Sequence, residues 1–318
     1  MTLRLTVNEV AWKQHVQSVA RSYPGIVPVV KGNGYGFRRW NLMPLAGQLS
    51  DEISVGTVFE ARDIPSGITP IVLTPTMTQP PSTLPLATVL TVGSVDHVAA
   101  LSRFGWSGRI MVKLQSSMKR HGVAPNDFKK LMSYIDRTSL AVHGFSIHPP
   151  LDGDMTLHLE DITKWLEMLP SDAPVYVSHL DPTTYERLCA SHPQRTFRVR
   201  LGTILWHGDK SMMHLTADVL GTHSLEAGER AGYRLTATNG PGHVVLVGAG
   251  SAHGVTTLDD GRSPFHYQRS RLNLLEPPHM HTSMLFVARG RAIPAVGEWI
   301  DVQRPLTQVQ VDLLQWTA

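Results

Sequence analysis

The stretch VPVVKGNGYGFRRW, residues 27–40, ends an apolar run on Lys31 and then turns through three glycines. A lysine at the end of a buried strand has two readings. Its stem can lie along apolar surface and carry the ammonium to water. Alternatively, the amine sits in a dry pocket, loses its proton near neutral pH and attacks a carbonyl to form a Schiff base. The GNGYG that follows favours the second, because glycines let backbone amides approach a phosphate closely. Arg120 in KLQSSMKRHG, His148 closing HGFSIH and Arg200 in FRVRLG are the other groups placed to meet a small charged ligand. Taken singly, either arginine reads as an ordinary salt bridge at the rim of a fold.

The elements that must position these groups have one rhythm through residue 205. Short apolar runs end in small or polar residues and are followed by helix-like segments. IVPVVK precedes LMPLAGQL, ISVGT precedes VFEARDI, and PIVLT leads into the Pro-rich loop TPTMTQPPSTLP. TVLTV precedes SVDHVAALSRFG, and RIMVKLQ precedes PNDFKKLMSYI. VHGFSIH, PVYVSHL and FRVRLG complete the series. Eight such runs predict a (β/α)8 barrel, with a doubly wound sheet as the competitor. Lys31, Arg120, His148 and Arg200 all fall at or just past strand ends, where barrels carry function. After about residue 212 helical periodicity disappears and short strands alternate with turn signals, which predicts an all-β domain. The expected division is a barrel over 1–212 and a β domain over 213–318.

Composition narrows the class. The 318 residues are 42% apolar and 17% charged with a net charge of +3, as expected of a packed globular chain. Basic residues form no long block, which argues against nucleic acid as a partner. Cys189 is the only cysteine, so an internal disulfide framework and a thiolate zinc cluster are excluded. With no apolar leader and no long apolar stretch, a cytoplasmic protein without a membrane span is expected.

VVKGNGYGF resembles the signature of the alanine racemase family, fold-type III enzymes that use pyridoxal 5′-phosphate (PLP). The resemblance implies that Lys31 holds PLP as an aldimine and that Tyr35 reaches its phosphate. VKLQSSMKRHGV is similar to the family strand and turn that carry an arginine to the cofactor's phenolic oxygen and the substrate carboxylate, here Arg120. Lys113 then matches the lysine that is sometimes carbamylated to orient that arginine. HGFSIH places His148 beside the pyridine ring. FRVRLGTILW places Arg200 at the pyridine nitrogen and the amides of Gly202 and Thr203 at the phosphate. VYVSHLDPTTY matches less closely, with Ser178 or His179 where a family serine contacts phosphate.

In the β domain the resemblance thins. The family's second base is a tyrosine in a Gly-Tyr-x-Asp-Gly-Tyr loop, supplied across a head-to-tail homodimer. Here GSAHGV puts Ser251 in the tyrosine's place and His253 in the aspartate's, which makes His253 the candidate opposite-face base. Met280 matches a methionine whose backbone contacts the substrate carboxylate. PPHMHTS also resembles the metal motif of D-threonine aldolase and D-serine dehydratase-like enzymes, in which His279 and His281 would be ligands. The resemblance therefore implies a PLP-dependent isomerase, an amino-acid racemase with Lys31, Arg120 and His253 as catalytic residues. The alternatives are a PLP-dependent lyase or aldolase acting on D-amino acids, and a PLP-binding homologue with little catalysis.

Overall fold

Eight parallel strands form the sheet that the apolar runs predict: Ile26–Pro28, Glu52–Val55, Thr69–Val72, Val89–Val92, Arg109–Lys113, Ala141–Ser146, Val175–Val177 and Phe197–Leu201. They are described from a computed structural model that covers residues 2–238 and 240–318. Strand Phe197–Leu201 pairs with Ile26–Pro28, and every other strand pairs with its sequence neighbour. The remaining seam is bridged at Val29 and Ser54, with Val30 N–H donating to Ser54 O at 2.8 Å. This is a nearly closed (β/α)8 barrel. Its strands are buried on both faces, so they read as continuous apolar runs and not as alternating ones. Val27, Ile71, Val89, Met111 and Tyr176 fill a layer of its interior.

Helix starts follow from short polar caps. The side chains of Ser94, Asp154 and Asp181 accept hydrogen bonds from the backbone N–H of His97, Leu157 and Thr184. Each satisfies a donor that has no partner within its own helix. VFEARDI differs from the expected helix: only Ala61–Asp63 forms a single 3-10 turn. Glu60, just before it, turns its carboxylate back to the strand ends instead.

Contacts divide the chain into two units. One is His15–Gly34 with Arg39–Gly208, which holds the barrel; the other runs from the N-terminus to Gln14, with Tyr35–Arg38 and Asp209–Ala318. The expected barrel span of 1–212 thus differs at its beginning. Leu3–Asn8 pairs antiparallel with Met213–Leu225 and parallel with Leu313–Thr317, which makes it a strand of the β unit. Its Leu3, Leu5 and Val7 point inward and are fully buried. Segment 35–38 joins the same unit because Phe37 packs its ring 5.1 Å from Trp12 and 6.1 Å from Trp316. The β unit is a nine-stranded, mainly antiparallel sheet built around Met213–Leu225, Gly242–Val247 and Ser283–Ala288. Among the described residues no helix is long and apolar enough to cross a membrane.

Candidate active site

The C-terminal ends of the barrel strands gather Lys31, Lys113, Arg120, His148, His179 and Arg200. Lys31 stands one residue past Val30; the residue is accessible to solvent, while its surroundings partly desolvate the amine at its tip. Its carbonyl accepts from Gly34 N–H at 3.0 Å, which closes the turn, and Gly32 and Gly34 adopt φ of +60° and +66°. That left-handed backbone is the reason for glycine here.

Glu60 holds this turn in place. Its two carboxylate oxygens accept from Gly32 N–H at 3.1 Å and from Gly56 N–H at 2.7 Å. The turn is thereby tied to the end of Glu52–Val55. Nothing in the sequence marked Glu60, because its role arises from two backbone amides brought together only by the fold.

Arg120 lies exposed in a loop with several anchors. Ser116 Oγ donates to His148 O at 2.7 Å, and Ser117 donates twice to Asp161, from N at 2.9 Å and Oγ at 2.6 Å. Trp165 Nε1 donates to Gln115 O at 2.8 Å. Arg200 is buried, with Nη2 donating to Ile147 O at 2.7 Å and Nε left without a partner. Ser178 is buried past the end of Val175–Val177. Gly202 precedes the short helix Thr203–His207, which has no side-chain cap.

The charges of this end are unbalanced. Burial, then Arg120, pushes the Lys31 amine below its ordinary range, with Glu60 acting in the opposite sense. Burial together with Arg200 and Arg120 drives the Lys113 amine far down. Burial brings Arg200 to about 10, which leaves it protonated at neutral pH. His148 is driven strongly down by burial, then by Arg200 and Lys113, so its imidazole is neutral. The Glu60 carboxylate, already bonded by two amides, faces four basic side chains, and the Asp161 carboxylate is engaged by Ser117. An anionic ligand is what such a set accepts most readily.

In the β unit the residues named from sequence fall into two groups. His253 differs from the expected free base, because both ring nitrogens are engaged. Nδ1 accepts from Gly250 N–H at 3.1 Å, which leaves Nε2 to donate to Asp312 Oδ2 at 3.0 Å. A base needs an open lone pair, and this imidazole offers none. Ser251 Oγ donates to His279 O at 3.2 Å. A Cβ at Gly250 would lie 2.2 Å from that same carbonyl, so only glycine fits there. Met280 is 67% exposed, and its carbonyl accepts from Ala252 N–H.

His279 Nε2 bonds the buried Glu276 carboxylate at 2.6 Å, and Glu276 also accepts from the amides of Tyr233 and Arg234. His281 lies exposed with its ring 5.8 Å from that of His253. Among the described residues no three His, Cys, Asp or Glu side chains gather to hold a metal ion. Tyr35, in the segment 35–38, is buried with φ of +56°.

Solved structures share this architecture. Alanine racemase from Bartonella henselae with covalently bound pyridoxal phosphate superposes with a TM-score of 0.75 at 15% identity, over 100% of both chains. Biosynthetic alanine racemase from Pseudomonas aeruginosa gives 0.73 at 16%, over 100% of this chain and 99% of that one. Alanine racemase from E. faecalis gives 0.67 at 19%, over 99% and 98%. These identities speak to the fold. No curated protein matches the sequence. The family described as alanine racemase, N-terminal domain, matches residues 7–209, well over half of the chain. The chain belongs to the alanine racemase family.

Proposed function

We propose that this protein is a PLP-dependent amino-acid racemase of the alanine racemase type, working as a homodimer on a small amino acid. The observation that carries the reading is the strand-end cluster, a lysine amine lowered by burial and by Arg120 among cations that lack counter-charges.

The residues present fit pyridoxal phosphate on two counts. Arg200 keeps a buried Nε without a partner, and the excess of basic groups suits a ligand that carries a phosphate. Lys31 would bind the cofactor through its amine and then carry a proton at one face of the substrate α-carbon. Ser178 and the amides of Gly202 and Thr203 would hold the phosphate, and His148 would lie by the ring. Arg120 would orient the substrate carboxylate. When bound, PLP supplies an electron sink for the pair left on the α-carbon as its proton departs. Arg200 cannot hand a proton to the pyridine nitrogen, since a guanidinium stays charged. That keeps the sink weak, which suits proton exchange over bond cleavage.

The closed His253 favours a second reading, a lyase acting on D-amino acids. Chemistry of that kind needs proton transfer on one face only. The experiment is reconstitution with PLP. Wild type should acquire a visible, borohydride-sensitive absorbance band that Lys31→Ala lacks. L-Alanine in D2O should then yield labelled D-alanine. No band in wild type would overturn both readings, and label without inversion would favour the lyase.

A further inference from the structure

Two consecutive peptide units follow the Lys31 α-carbon, and a charged side chain holds each of them. The first joins Lys31 to Gly32. Its carbonyl accepts from Gly34 N–H at 3.0 Å, and its N–H donates to Glu60 Oε1 at 3.1 Å. The second joins Gly32 to Asn33, and its carbonyl accepts from Arg39 Nη1 at 3.1 Å. Gly32 lies between the two units with φ of +60°, and a Cβ built on it would meet nothing within 4 Å. Crowding therefore does not hold this left-handed backbone, and a glycine left to itself would move freely. The hydrogen bonds hold it.

Arg39 opens the helix Arg39–Leu49 and is itself fixed. Its Nη2 pairs with Asp63 Oδ2, and its side chain is largely covered. Asp63 ends the turn Ala61–Asp63, and Glu60 immediately precedes that turn. Segment 60–63 thus grips Gly32 from both sides, Glu60 directly at the N–H and Asp63 through Arg39 at the carbonyl. Both carboxylates of VFEARDI are spent on the Lys31 turn, which gives a reason for the single turn it forms where its pattern predicts a helix. The charges that act on the Lys31 amine are Arg120, Glu60 and Arg200. Arg39 is not among them and reaches the lysine through the backbone.

We propose that Arg39, held by Asp63, is a positioning residue for Lys31: it fixes the Gly32 carbonyl and, with Glu60, sets the direction in which the lysine side chain leaves the strand end. This rests on the reading of Lys31 as the lysine that binds PLP. The amine is carried on a flexible four-carbon stem, so its encounter with a carbonyl carbon gains from a root that does not move. Arg39 forms and breaks no covalent bond in this role, and its guanidinium stays charged throughout. Glu60 acts on both the turn and the charge of the amine, whereas Arg39 acts on the turn alone. The two functions should therefore separate.

The test follows attachment of PLP to unloaded wild type, Arg39→Ala, Arg39→Lys, Asp63→Asn and the Arg39→Ala, Asp63→Asn double variant. Absorbance gives the rate, and mass after borohydride trapping gives the site. Arg39→Ala should slow attachment on the high-pH plateau by about 10-fold or more, the scale of a misplaced reacting group, and leave the pH midpoint where wild type has it. Arg39→Lys, which keeps a donor for Gly32, should recover part of the rate. Asp63→Asn should slow attachment less, and the double variant should be no slower than Arg39→Ala, because Asp63 acts through Arg39. A wild-type plateau in Arg39→Ala would overturn the proposal, as would a moved midpoint with the plateau intact, or additive losses in the double variant.

Amide hydrogen exchange of the unloaded protein gives a readout that needs no cofactor. The Gly34 N–H, which closes the turn on Lys31 O, should lose protection in Arg39→Ala while the barrel strands keep theirs. Unchanged protection at Gly34 overturns the proposal, and so does loss of protection throughout the strands, which would make Arg39 a residue of general stability. Failure of wild type to take up PLP removes the reading of Lys31 as the cofactor lysine, and the exchange at Gly34 still decides whether Arg39 holds the turn.

Discussion

The two ends of the barrel carry comparable numbers of charged groups and use them in opposite ways. At the C-terminal ends, basic side chains crowd together with Glu60 among them, and Arg200 keeps a donor idle. At the N-terminal ends, Glu52 is buried and fully engaged. It accepts from Tyr176 OH at 2.9 Å and His143 Nε2 at 2.7 Å, with Arg198 Nε 3.8 Å away. Arg109 Nη1 reaches His143 Nδ1 at 3.4 Å, and its Nη2 donates to Ala87 O at 2.6 Å. Charge at the closing end is satisfied internally and contributes to stability. At the open end it is left over, which suits the anionic ligand proposed above. This is the division of labour expected of a barrel whose chemistry sits past the strand C-termini.

Substitutions that neutralise one end at a time should separate the two uses. The largest effect is expected from Lys31→Ala. Racemisation should fall to background and the visible band should vanish. The melting temperature should hold, because Lys31 lies in a solvent-accessible turn past the strand end and outside the buried core. Calorimetry beside the alanine assay checks this, and a large loss of stability would mean the open end is also structural.

Glu52→Gln should do the reverse. It removes the charge at the centre of the closing network and leaves Arg198 without its buried partner, at a cost of about 3 kcal/mol in urea unfolding. Activity per folded molecule should be unchanged. The carboxylate also gives this end a pH signature. Hydrogen bonds from His143 and Tyr176, followed by the charges of His143 and Arg198, outweigh burial and hold Glu52 below its ordinary value of 4.5. A folded pKa below the unfolded one contributes stability that is complete above about pH 4.5 and is lost as pH falls through the folded value. Wild type should therefore lose stability in acid more steeply than Glu52→Gln. Parallel acid-unfolding curves would remove Glu52 from the account.

The difference between the ends was only partly legible in the sequence. All eight strands were readable because parallel strands buried on both faces leave unbroken apolar runs. Lys31, Arg120, His148 and Arg200 were readable because each ends or follows such a run. Glu60 was not, since it lies in a segment whose pattern suggested a helix and meets Gly32 across 28 residues. The engagement of His253 by Asp312 was hidden for a similar reason: a histidine in a loop looks like a free base until the fold brings a carboxylate to it. The membership of Leu3–Asn8 in the β unit depends on pairing with strands more than 200 residues away, which no local pattern records. Local periodicity reports burial, whereas partnership between distant polar groups is set by topology.

Glu60→Gln is the smallest and most discriminating change, because it touches the carboxylate that acts on Lys31. An amide keeps a single acceptor oxygen, so either the Gly32 or the Gly56 amide loses its partner, at about 1 kcal/mol. Removing the negative charge also removes the influence that holds the Lys31 amine up against burial and Arg120. The amine should then give up its proton at lower pH. The pH midpoint for attachment of PLP, followed by absorbance, should move toward acid relative to wild type, with the plateau at high pH unchanged. A shift toward base would mean that loosening of the Lys31 turn dominates over charge. An unchanged midpoint would mean that Glu60 serves only the two amides, and the open end would then carry no effective counter-charge for Lys31.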